Sequence, residues 1–172
     1  MKLNPTYKMP FKRRMLGKTD YKKRLRLLLS KKPRLIIRRS LKYLLAQIVE
    51  FSPKGDRTLI SASSKELKKF GWNFACDNLP AAYLTGLLVG KKALGKGIKE
   101  TILDSGLYSS TKGNRIFALV KGARDVGLNV SISDEVLPSE ERIRGLHIAN
   151  YLERFKSIPE KFEEIKSKII GG

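Results

Sequence analysis

The spacing of apolar positions changes three times along this chain, and each change marks a different kind of element. Residues 1–18, MKLNPTYKMPFKRRMLGK, have no apolar period and hold two prolines, a glycine and six cations. They cannot build a core element alone, which predicts an extended arm. From Thr19, read as an N-cap, Tyr21, Leu25, Leu28 and Leu29 recur at near-helical spacing while Lys22, Lys23, Arg24 and Arg26 cover the other side. A short basic helix is expected there, ending before Pro33.

From Arg34 the apolar residues become branched and come in short runs, RLIIRR, KYLLAQIVEF and RTLISAS. Three consecutive antiparallel strands are the natural reading, with one turn around Ser40 and Leu41 and the next in SPKGD, where Pro53 and Gly55 favour a turn. Ser63 and Glu66 have the spacing of a capping box and Gly71 that of a helix stop, so residues 64–70 are expected to be helical. The longest helix follows, capped by Asn78, with Pro80 in its first turn and Tyr83, Leu84, Leu87, Leu88 and Leu94 along its apolar face. Ala82, Gly86 and Gly90 form a stripe of small residues, read as the side that lies close against a sheet. Thr101–Asp104 predicts a fourth strand, 114–126 a helix stopped by Gly127, and 139–155 another. A last amphipathic segment from Pro159 presents Phe162, Ile165 and Ile169 for docking.

The expected fold is α/β, a single mixed sheet with packed helices and a basic N-terminal arm. It divides into a basic arm and short helix (1–33), an α/β domain (34–158) and a C-terminal helical tail (159–172).

Charge narrows the function. The chain has 36 Lys and Arg against 16 Asp and Glu, a formal net of +20, and residues 1–50 alone carry sixteen cations against Asp20 and Glu50, a net of +14. Such a concentrated field selects polyanions and suggests that the first third lies along a phosphate backbone while the rest is scaffold. Tyr7, Phe11, Tyr21 and Tyr43 stand among the cations, and RNA recognition commonly combines phosphate neutralisation with stacking of unpaired bases. The motifs of DNA readers, a zinc finger, a leucine heptad or a recognition-helix pair, are missing from the sequence. No apolar run approaches the roughly 20 residues of a membrane span, so no membrane association is expected.

Enzymatic chemistry finds little support. The segment Gly90–Gly97, GKKALGKG, nearly matches a phosphate-binding loop, but Gly97 stands where a hydroxyl would hold magnesium, and the segment closes a helix instead of opening one. His147 is the only histidine and Cys76 the only cysteine. Neither a metal cluster nor a disulfide is expected, no cofactor is implied, and the lone cysteine fits a reducing, cytosolic context. Asp104, at a strand end, reads as a turn or cap residue.

At KPRLIIRRSLKYLLAQIV the sequence resembles the 5S ribosomal RNA-binding family of the large subunit, large-subunit protein eighteen. The arm PTYKMPFKRRMLGKTDYKKRLRLL and the stretch FGWNFACDNLPAAYLTGLLVGKKAL look like its archaeal type. After the first strand the family pattern reads Ser, Asn, Lys, His, whereas this chain has Ser40, Leu41, Lys42 and Tyr43. Tyr43 keeps an aromatic plane and a hydroxyl where the imidazole would be, and Arg34, Arg38, Arg39, Ser40, Lys42 and Gln47 match the region's usual chemistry. The resemblance implies a non-enzymatic, cytoplasmic ribosomal protein that holds 5S ribosomal RNA in the central protuberance. Large-subunit ribosomal RNA and the other 5S-binding large-subunit protein would be its neighbours. The candidate RNA contacts are Lys8, Phe11, Lys12, Arg13, Arg14, Tyr21, Lys22, Arg24, Arg26 and Lys32 from the basic segment. Arg34, Arg38, Arg39, Ser40, Lys42 and Tyr43 join them from the first strand and its turn. The alternative is a general nucleic-acid-binding protein without ribosomal specificity.

Overall fold

A computed structural model describes residues 6–171, so the first five residues of the expected arm lie outside the described residues. Five strands form one sheet in the order β3-β2-β1-β4-β5. Strands β1 (Arg34–Arg39), β2 (Leu44–Glu50) and β3 (Arg57–Ser63) pair antiparallel. β4 (Glu100–Asp104) and β5 (Asn129–Val130) continue the sheet parallel to β1. The sheet is therefore mixed, as expected, and the three consecutive strands and both turns fall where the branched runs and turn residues put them. The strand at Asn129 leaves no signal in the sequence, because two residues are too short to show alternation.

Alternation separates the two faces. Leu35, Ile37, Leu44, Ala46, Ile48, Ile60 and Ala62 point into the core, while Ile36, Arg38, Leu45, Gln47 and Ser61 alternate onto a face that the core helices leave uncovered. Helix α3 (Leu79–Gly95) covers the inner face, buried over most of its length, with Asn78 Oδ1 accepting from Ala81 N at 2.9 Å. The preceding segment, Ser64–Phe70, is a 3₁₀ helix with the expected capping box and a left-handed Gly71.

The small-residue stripe of α3 faces helix α4 (Arg115–Asp125) and not the sheet. A Cβ on Gly86 would stand 2.0 Å from the Leu119 carbonyl oxygen, and one on Gly122 of α4 would stand 2.2 Å from the Tyr83 carbonyl oxygen. Two helices without side chains at the crossing approach backbone to backbone. A sheet already offers its own side chains to fill the gap, and Leu84 and Leu87 are buried with them in one core.

The expected helix over 139–155 is broken into α5 (Glu140–Arg144), α6 (Leu146–Ala149) and a 3₁₀ turn at Glu153–Phe155. Gly145 ends α5 with φ +81°, and a Cβ there would come within 2.8 Å of Ile158 and 2.9 Å of Pro80. The chain turns there so that helix α7 (Ile158–Gly171) can lay Ile158, Phe162, Ile165 and Ile169 into the core. Phe162 meets Tyr83 at 5.4 Å between ring centroids.

At the other end, the arm is mostly irregular but includes one helical turn, α1 (Lys12–Met15), which buries none of its residues. Helix α2 (Tyr21–Leu29) follows. Among the described residues, no helix is long and apolar enough to cross a membrane.

Candidate nucleic-acid interface

Helix α2 begins at Asp20 and not at Thr19. The Asp20 carboxylate accepts from Lys22 N at 2.9 Å and Lys23 N at 3.1 Å, and these bonds from the Lys23 and Lys22 amides hold its pKa below the usual aspartate value. A carboxylate at a positive helix end is the better cap. Thr19 Oγ1 instead accepts from Arg13 Nε at 2.9 Å, which curls the arm back toward the helix, and Phe11 contacts the Tyr21 ring at 5.1 Å.

Two attachments hold α2 near the open face of the sheet. Lys23 Nζ donates to Ser105 Oγ at 3.2 Å and to the Gly106 carbonyl at 2.8 Å, beyond the end of β4. Arg24 grips Asp56 with both terminal nitrogens at 2.8 Å. Asp56 comes from the β2–β3 turn, so one turn residue fixes a helix that precedes the sheet in sequence. The Arg24 guanidinium lowers the Asp56 pKa, with help from Arg34 and against the cost of partial burial.

Arg34, expected as an RNA contact, is 1% exposed. Its Nη1 donates to Asp104 at 2.8 Å and its Nη2 to Asp56 at 2.7 Å. A guanidinium this deep requires paired carboxylates, and both Asp56 and Asp104 supply them. The structure therefore makes Arg34 a strut beneath the surface, with Arg24 above it sharing the same acid. Asp104 also accepts from Gly106 N at 2.9 Å, the turn role read for it from sequence.

The β1–β2 turn is built by Ser40. Its Oγ accepts from Tyr43 N at 2.9 Å and donates to the Tyr43 carbonyl at 3.0 Å, which leaves Leu41 96% exposed and Lys42 projecting into solvent. Next to it, the Arg39 guanidinium lies 4.5 Å from the centroid of the Tyr108 ring, while the Tyr108 hydroxyl accepts from Arg39 N and donates to its carbonyl, both at 3.2 Å. Arg38 is exposed, and its Nη1 donates to the Ile37 carbonyl at 3.0 Å. Its guanidinium passes over Gly106, whose missing Cβ would stand 2.9 Å away.

The arm, α2 and β1 thus bring Arg13, Tyr21 and Arg38 together on the open face of the sheet, with Phe11 against Tyr21, while Arg39, which alternates to the opposite side, is held against Tyr108. Lys8, Lys12, Arg14, Lys22, Arg26 and Lys42 are exposed around them, and Tyr43 is half-buried against the core. Lys32 stands apart, paired with Glu100. Lys18 and Lys23 belong to the same surface, and their place in the basic run was the available signal. Tyr108 had none, since it meets Arg39 from far along the chain.

Among the described residues, Lys8, Lys12, Arg13, Arg14, Lys18, Lys22, Lys23, Arg26, Arg38, Arg39 and Lys42 have no carboxylate within ion-pair distance. In the C-terminal half, Arg115, Lys121, Arg124, Arg144, Lys156, Lys161 and Lys168 each meet one, while Lys99, Lys112 and Arg142 do not, and Arg154 and Lys166 lie instead over the Phe155 and Tyr83 rings. Glu164, between Lys161 and Lys168, has its pKa lowered to about 2 by those two partners. The densest run of uncompensated charge thus lies at the N-terminal surface, where it can neutralise a polyanion.

The near-match to a phosphate loop, Gly90–Gly97, is the C-terminal end of α3, where Lys96 N and Gly97 N are already spent on the Ala93 and Leu94 carbonyls. Its lysines reach the Ile169 carbonyl, Glu66 and the Leu59 carbonyl. Among the described residues, no group of three or more His, Cys, Asp or Glu is placed to hold a metal ion.

A family model described as ribosomal large subunit proteins 60S L5 and 50S L18 matches residues 5–102, more than half of the chain. The match spans the arm, α2, the three antiparallel strands, α3 and the start of β4. The chain belongs to that family, and is thus an rRNA-binding, structural and non-enzymatic constituent of the large subunit of the cytoplasmic ribosome.

Proposed function

We propose that this ribosomal protein binds 5S ribosomal RNA and joins it to large-subunit RNA in the central protuberance, beside the other 5S-binding large-subunit protein. The observation that carries the reading is the separation of charge states. Among the described residues, the cations of the arm, α2 and the β1–β2 turn lack carboxylate partners, Arg24 excepted, whereas most of those on the C-terminal helices are paired, Arg142, Arg154 and Lys166 excepted.

Two kinds of contact follow from how each residue is held. Arg38 and Arg39 are fixed by Ile37, Gly106 and Tyr108, and Lys42 sits on a turn locked by Ser40, so they suit one RNA shape. Lys8, Lys12, Arg13, Arg14, Lys22 and Arg26 are exposed on short or irregular segments and adapt to any phosphate track. Phe11, Tyr21 and Tyr43 offer aromatic surface for unpaired bases. Arg34 and Arg24 act from beneath by keeping α2 in place. The arm orders fully once RNA neutralises it, because it buries too little apolar surface to offset the entropy of ordering.

The test compares two variants against 5S RNA and transfer RNA over a range of salt. Replacing Lys12, Arg13 and Arg14 with alanine should weaken both RNAs alike and flatten the logarithmic salt slope by about 0.7–0.9 for each phosphate that is no longer neutralised. Arg38→Ala with Lys42→Ala should weaken 5S RNA more than transfer RNA. A turn variant that keeps full selectivity while the arm variant loses it would reverse the roles.

A further inference from the structure

The open face of the sheet is not flat where α2 crosses it. A cleft of about 690 Å³ lies between the arm, α2, β1 and the turn after β4, within the roughly 300–1,000 Å³ of sites that enclose small organic groups. Tyr21, Leu107 and Tyr108 line it together with the half-buried Ile36 and the buried Arg34. Its rim carries Arg13, Lys18, Lys23 and Arg38.

The charges in the cleft are sorted by depth. Asp56 and Asp104 are matched by Arg24 and Arg34, and Asp20 is occupied as the α2 cap. The rim cations have no carboxylate partner among the described residues. Lys23 meets only a hydroxyl and a carbonyl, and Arg38 only a carbonyl. An electroneutral, part-apolar interior under a cationic rim suits a flat polar ring attached to a phosphate. It is too concave for the outer surface of an RNA duplex, which meets proteins through backbone and shallow groove. Arg34 Nε is a buried donor without an acceptor, and a ring nitrogen or carbonyl brought in by a ligand would be its natural complement after a small local shift.

We propose that this cleft takes the base of one unpaired RNA nucleotide, stacked between Tyr21 and the Leu107–Tyr108 segment, with its phosphates on Arg13, Lys18 and Lys23. The proposal rests on the RNA-binding reading above and specifies how it discriminates. A strand threaded past the rim presents a base to the cleft wherever pairing is interrupted, so the site reads an interruption in a helix and not a sequence.

The probe is a 12-base-pair RNA hairpin, either fully paired or carrying one extruded 2-aminopurine, titrated against the full-length protein at constant salt. Wild type should prefer the extruded form by about 5- to 150-fold, the range expected for stacking one base, and should quench its fluorescence. Leu107→Ala, an exposed apolar position that cannot neutralise phosphate, should bind the paired hairpin like wild type and lose most of the preference. Tyr21→Ala should lose the preference and the quenching as well. Equimolar adenosine monophosphate should leave the extruded hairpin bound, whereas displacement would assign the cleft to a free nucleotide and overturn the proposal. Equal wild-type affinity for the two hairpins would overturn it while leaving 5S binding intact. Failure to bind either hairpin or 5S RNA would overturn both.

Discussion

Arg24 and Arg34 converge on Asp56 from different depths, and depth decides what each contributes. Arg34 is the buried member, its side chain 2% exposed, and it also holds Asp104, whose side chain is 10% exposed. Removing it strands a buried carboxylate, which costs about 3–5 kcal/mol. Arg24 is 29% exposed and its pair with Asp56 is screened, so its loss costs at most about 1 kcal/mol. Arg34→Ala should therefore lower the urea midpoint far more than Arg24→Ala, and equal effects would contradict the buried-strut role. Acid tests the same network. Because the Asp56 pKa is lowered on folding, its contribution is present above the ordinary aspartate value and is lost as pH falls through the folded value. Hydrogen-exchange protection of the α2 amides, corrected for intrinsic rates, should hold from pH 7 to about 5 and fall below about 4. In Asp56→Asn it should be low throughout. That Arg34 carries a buried charge was not legible in RLIIRR, since its acids lie in a distant turn and at the end of another strand. The local signal was only that an arginine begins an otherwise apolar run.

Among the elements, the α3–α4 crossing is the most demanding contact. Gly86→Ala and Gly122→Ala place a methyl group against backbone carbonyls that cannot rotate away, so each should cost about 3 kcal/mol or more, beyond ordinary overpacking. Gly95→Ala, at the end of α3 with nothing within 4 Å, should be neutral or raise stability by up to about 1 kcal/mol. Thermal melting of the three variants checks this, and comparable losses at all three sites would contradict the close crossing. The stripe itself was readable, because small residues four apart define one side of a helix. Its partner was not, because periodicity says which side is narrow and not what meets it. The break at Gly145 escaped for a related reason. A glycine within an amphipathic run is compatible with a continuous helix until Ile158 and Pro80 occupy the space its side chain would need.

Over the whole molecule, charge and fold divide the labour legibly from sequence. The first fifty residues carry +14 of the net +20, and the remainder builds the helical layer, about half of whose cations find carboxylates within a turn or across a helix pair. The succession of the first three strands, the capping box and the basic segment could all be read locally. Which cations remain unpaired depends on long-range partners and emerged only with the fold. The central claim is that this surface selects 5S RNA by shape and does not merely attract polyanions. Phosphate attraction weakens steeply with salt for every RNA alike, whereas fixed contacts to one shape keep the ratio of affinities. The decisive measurement is competition of 5S RNA against transfer RNA for the full-length protein from low to physiological salt. Both affinities should fall while 5S RNA keeps an advantage of at least about tenfold, and convergence of the two to equal affinity would contradict the account.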